Sequence, residues 1–69
     1  MNDQIRPTDY RITNVGGEII AAPPDTNDAT IAAHLAAVDA KEGTYYLHNP
    51  NGRHAATLRW TPAQIQWKR

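Results

Sequence analysis

The chain has no cysteine and no serine. Without cysteine there is no disulfide and no thiolate metal site. Without serine a Ser-His-Asp triad is excluded. No apolar run approaches the ~18 residues of a membrane-spanning helix. The opening residues, Met1-Asn2-Asp3-Gln4, lack the basic and apolar regions of a signal peptide, so a cytoplasmic setting without membrane attachment is expected. Acidic residues run out as well, since none lies after Glu42. Glycine-rich phosphate loops of the strand–loop–helix kind are missing, because Gly16-Gly17 sits between two expected strands and reads as a turn.

The missing acids expose an asymmetry that the overall charge of zero conceals. Residues 1–42 carry seven acids against Arg6, Arg11 and Lys41, a net of −4. Residues 43–69 carry Arg53, Arg59, Lys68 and Arg69 with no acid, a net of +4. The same basic part holds Tyr45, Tyr46, Trp60 and Trp67, and only Tyr10 lies outside it. Basic side chains interleaved with aromatics suit anions or acidic partners.

Sixty-nine residues make one small domain. A domain of this size buries only about 60% of the surface its unfolded chain exposes. With the disulfide staple absent, association with another chain is the remaining common source of stability.

The pattern predicts an α+β domain of ββαββ order with a short C-terminal helix, its antiparallel hairpins packed on one Ala-rich helix. Residues 1–8 read as a flexible arm and residues 9–69 as the domain. Tyr10 to Val15 alternates as a strand, Gly16-Gly17 supplies a two-residue hairpin turn, and Glu18 to Ala22 returns. Pro23-Pro24 stops the ladder. Asp25 or Thr26 can cap a helix over about 27–41, with Asp28 in its first turn and Gly43 as its stop. Thr44 to His48 and Arg53 to Trp60 form the second hairpin around Asn49-Pro50-Asn51-Gly52. Thr61-Pro62-Ala63-Gln64 carries the signature of a helix start. Trp60 and Ile65 stand at the spacing of a hydrophobic staple, and Lys68 and Arg69 suit the helix end.

Two surfaces stand out. Ile31, Leu35 and Val38 form the core stripe of the helix, and Ala29, Ala33, Ala36 and Ala40 leave its other side small and apolar. That side is an expected contact for a second helix, as in a homodimer, unless the alanines are there only for helix propensity. In the second hairpin two rules conflict. The turn favours pairing Asn49 with Arg53. The apolar pattern favours a shift of one residue that gathers Tyr45, Leu47, Ala56, Leu58 and Trp60. The apolar grouping is preferred here, and it leaves Tyr46, His48, Arg53, Thr57 and Arg59 outside. Tyr46, His48, Arg53, Arg59, Trp67, Lys68 and Arg69 are therefore the expected partner-binding residues.

Catalysis and metal binding find little support. Zinc needs three or four convergent ligands, and His34 on the helix is badly placed to join His48 and His54. A chain this short also has difficulty enclosing a pocket of a few hundred Å³. The leading expectation is a non-enzymatic protein-binding module without a cofactor. Very small chains of this kind often serve as inhibitors or adaptors, including those made by phages against host machinery, a size-based analogy only. The alternative is single-stranded nucleic-acid binding by the basic, aromatic half, which has few cations for that task.

Overall fold

The computed structural model describes residues 6–62 and 64–68. Residues 1–5 of the expected arm, Ala63 of the expected cap and the candidate Arg69 lie outside the described residues. Among those described, the chain forms β1 (Arg11–Thr13), β2 (Ile19–Ala21), α1 (Asp28–Ala37), β3 (Gly43–His48), β4 (His54–Thr61) and β5 (Gln64–Lys68). The strands make one five-stranded antiparallel sheet in the order β2-β1-β3-β4-β5, so β1 lies inside the sheet beside a strand far from it in sequence. The coarse α+β architecture is as the sequence indicates, and the C-terminal helix is not seen.

The two long hairpins turn the same way. In the first, Gly17 N donates to Asn14 O (3.0 Å) and Asn14 N to Glu18 O (3.1 Å), giving a three-residue loop and not the expected two-residue one. Asn14 organises it: its Oδ1 accepts from the backbone N–H of Gly16 and of Glu18, both at 3.0 Å. Gly17 closes it at φ 84°, a conformation open to glycine at little cost. In the second, Gly52 N donates to Asn49 O and Asn49 N to Arg53 O, both at 2.8 Å, with Gly52 at φ 91°.

Both register rules hold in that second hairpin, in different parts of it. Near the turn Asn49 meets Arg53 and His48 meets His54. A β-bulge follows, after which Leu47 pairs with Ala56 and Tyr45 with Leu58. Ala55 is the extra residue that lets the turn keep its geometry while the apolar side chains reach one face.

The expected C-terminal helix is a strand. Thr61 pairs with Gln64, and Ile65 and Trp67 pair with Trp60 and Leu58. Gln64, Gln66 and Lys68 alternate with Ile65 and Trp67, so the strand sets both apolar side chains, half-buried, on one face. A helix of six or seven residues is marginal by itself and offers no comparable burial. The anticipated meeting of Trp60 with Ile65 does occur, as a cross-strand pair.

The helix is shorter than expected. Asn27 is its N-cap, in place of Asp25 or Thr26, and Asp25 Oδ1 instead accepts from Asn27 N at 3.0 Å. It ends at Ala37, not near residue 41, because Asp39 takes a left-handed backbone at φ 56°. Asp39 N then donates to Ala36 O and Ala40 N to Leu35 O, each at 3.0 Å, which is the Schellman arrangement. Gly43 therefore opens β3 and does not end the helix.

The core lies between α1 and one face of the sheet. It consists of Ile12, Ile31, Leu35, Tyr45, Leu47, Leu58 and Trp60, with Ala32, Ile65 and Trp67 packed at its edge. Polar atoms of the large rings are satisfied at the rim: Tyr45 Oη donates to Lys41 O (2.5 Å) and Trp60 Nε1 to Ala40 O (3.2 Å). Val38 does not complete the core stripe. It is the helix C-cap and 48% exposed.

Candidate binding surface

Strand alternation sets one row of side chains toward α1 and the other onto the opposite face of the sheet. No described helix or strand covers that opposite face. Register fixes its membership. One row across the sheet runs Thr13, Tyr46, Thr57, Lys68, and neighbouring rows hold Arg11, His48 and His54, then Thr44, Arg59 and Gln66.

The face is internally bonded. Thr13 Oγ1 lies 2.9 Å from His48 Nε2, and His54 Nε2 lies 3.1 Å from Thr57 Oγ1. The ring of His54 stands edge-on to Tyr46 and to His48, with centroids 6.0 Å apart in each case and interplanar angles of 62° and 78°. Arg11 Nη1 donates to Pro50 O at 2.7 Å, which ties β1 to the second hairpin. Arg59 Nη2 lies 3.4 Å from Glu42 Oε2, the only salt bridge among the described residues.

Of the residues expected from the sequence to bind a partner, Tyr46, His48, Arg59 and Lys68 come together on this face. Arg53 does not. It pairs with Asn49 at the turn, one position before His54, so alternation directs it away from the face that His54 occupies. The bulge at Ala55 is the cause, because a uniform register would have kept Arg53 with Thr57 and Arg59. Trp67 also leaves the group. It faces α1, half-buried against the core, and its Nε1 donates to Asp28 Oδ1 at 2.7 Å, so it closes the fold's edge.

Arg11, Thr13 and His54 were not among the partner-binding residues expected from the sequence. Arg11 and Thr13 alternate with Ile12, which signals a shared face, but their place beside β3 depends on a pairing that local pattern cannot reveal. Among the described residues, no group of three or more His, Cys, Asp or Glu side chains is placed to hold a metal ion.

The alanine side of the helix is divided. Ala29, Ala33 and Ala36 are exposed along α1, whereas Ala40 lies beyond the helix end and packs on the core.

Two open clefts flank the helix. A 10-residue helix is ~15 Å long. A sheet of five strands is about 19 Å across, so the helix leaves two corners uncovered. At its C-terminal end a cleft of about 410 Å³ is lined by Asn14, Glu18, Ile19, Ile20, Val38, Ala40, Lys41 and Tyr45. At its N-terminal end one of about 320 Å³ is lined by Asp28, Ala29, Ala32, Gln64 and Ile65. The exposed large apolar side chains among the described residues, Val15 (75%), Ile19 (49%) and Val38 (48%), all belong to the hairpin tip, β2 or the helix end.

No helix among the described residues is long and apolar enough to cross a membrane. No protein-family model, curated protein or solved structure matches the chain.

Proposed function

We propose that the chain is a non-enzymatic protein-binding module, an inhibitor or adaptor that lays the uncovered face of its sheet on an acidic surface of a partner. The observation that carries this reading is the composition of that face. Arg11, Arg59 and Lys68 share it with Tyr46, His48 and His54, and Glu42 at its margin is already paired. Tyrosine and arginine are enriched where binding energy concentrates. Cations on one face also steer an acidic partner into register. The rings are held edge-on and the two guanidinium groups are held by Pro50 O and Glu42, so the surface is ordered before it binds. Such preorganisation lowers the entropy cost of association. Among the described residues His48 and His54 bond to threonine hydroxyls and to no carboxylate, which supports a binding role over acid–base catalysis.

Single-stranded nucleic acid is the second reading, favoured by the three cations beside Tyr46. Edge-on rings offer little parallel surface for base stacking, which places it second.

Affinity capture from the native host, with wild type and with Tyr46→Ala/Arg59→Ala, tests the proposal. A specific protein retained by the wild type and lost by the double variant is expected. Retention of no protein, or equal retention by both, would overturn it. Oligonucleotide binding that weakens steeply with salt and is lost in the same variant would transfer the face to the second reading.

A further inference from the structure

The corner at the C-terminal end of α1 has no part in the face just described, and we infer that it is the contact through which two copies of the chain associate. Of the large apolar side chains left exposed among the described residues, Ile19 and Val38 both line the cleft at this corner. Scattered exposed apolar residues need no explanation, but a grouped set marks a contact surface. The cleft has a volume of about 410 Å³, and Ile20 lines it beside Ile19 and Val38.

The rim charges indicate the occupant. Glu18 and Lys41 both line the cleft, one from the hairpin and one from the segment after the helix. Neither forms a salt bridge among the described residues. In a two-fold contact a patch meets its own copy reversed, so residue i faces residue j and j faces i. Glu18 of each copy then stands against Lys41 of the other. A rim of one sign would repel its copy, whereas this one attracts it. Extension of the sheet is not the mode of contact. β2 is three residues long, and Pro23 and Pro24 follow within three positions, so the edge offers no long ladder. Association rests on side-chain packing. None of Tyr46, His48, Arg59 and Lys68 lines the cleft, so a dimer keeps two copies of the binding face available.

Sedimentation equilibrium of the full chain from low to several hundred micromolar tests the contact. The wild type is expected to rise from the mass of one chain toward that of two. Val38→Glu, at an exposed position, should keep the circular dichroism of the wild type and raise the dissociation constant by tenfold or more. Glu18→Lys and Lys41→Glu should each weaken association by about tenfold, equivalent to about 1.4 kcal/mol, and the double exchange should restore it. Ala33→Glu on the exposed side of the helix should leave the dimer intact. A wild type that stays monomeric throughout the range overturns the inference. So does a dimer that ignores Val38→Glu, a double exchange that fails to restore association, or a dimer broken by Ala33→Glu.

Discussion

Asp39 occupies the left-handed position that ends a helix, where glycine is the usual residue. An L-residue pays a steric cost there, reduced but not removed for aspartate. Its carboxylate also sits at the negative end of the helix dipole. Asp39→Gly is therefore expected to stabilise the domain by about 1 kcal/mol, which for a chain of this size raises Tm by roughly 5 °C. Asp39→Ala should fall below Asp39→Gly, because alanine keeps the steric cost of the left-handed backbone. Thermal unfolding followed by circular dichroism would decide, and equal Tm values for the three proteins would contradict this account of the helix end. The neighbouring pair Arg59–Glu42 behaves differently. Both side chains are about half exposed, so the pair contributes at most ~1 kcal/mol. That weakness suits a binding residue, since a partner's carboxylate can replace Glu42 at little cost.

The fourth strand shows what a local pattern can and cannot reveal. Tyr45, Leu47, Ala56, Leu58 and Trp60 announce their shared face through alternation, and Tyr46, His48, Thr57 and Arg59 follow on the other. The bulge was hidden because turn chemistry and apolar pattern each seemed to require the whole strand. With Ala55 as a spare residue, each governs its own part. Deleting Ala55 should join the two registers without moving any core side chain. The variant is expected to fold cooperatively, with a loss smaller than the ~2 kcal/mol of a mild core truncation. A broad or absent urea transition would mean that the bulge itself shapes the sheet. The fifth strand was concealed by a stronger signal. Thr61-Pro62-Ala63-Gln64 has the chemistry of a helix cap, and the alternation of Gln64 to Lys68 is visible only if that signal is set aside. In the binding face, Lys68 was legible by composition, whereas Arg11 required knowledge that β1 lies against β3. That pairing is non-local, and no window of sequence contains it. Arg53 was misplaced because the bulge at Ala55 shifts it off the face, and Val38 because the helix ends at Ala37, one residue before it.

At the scale of the whole molecule, the place of β1 between β2 and β3 has a kinetic meaning. The segment from Gly43 to Lys68 is a meander of neighbouring strands, joined by short turns and cheap to close. β1 reaches β3 only by closing a long loop; Thr13 and His48, which bond across it, stand 35 positions apart. The meander is thus expected to form first and the N-terminal hairpin to dock late. Ile12→Val, at a fully buried site, should cost about 1 kcal/mol and speed unfolding about fivefold with the refolding rate nearly unchanged. Stopped-flow kinetics would show the reverse partition if β1 belonged to the nucleus. On a ribosome the same order runs against the direction of synthesis. Ile12, Ile31 and Leu35 emerge early, and the surface that buries them is translated later. Until β3 and β4 are complete, the nascent chain holds these side chains in water, and its vulnerability to aggregation or capture by chaperones is greatest just before those two strands appear.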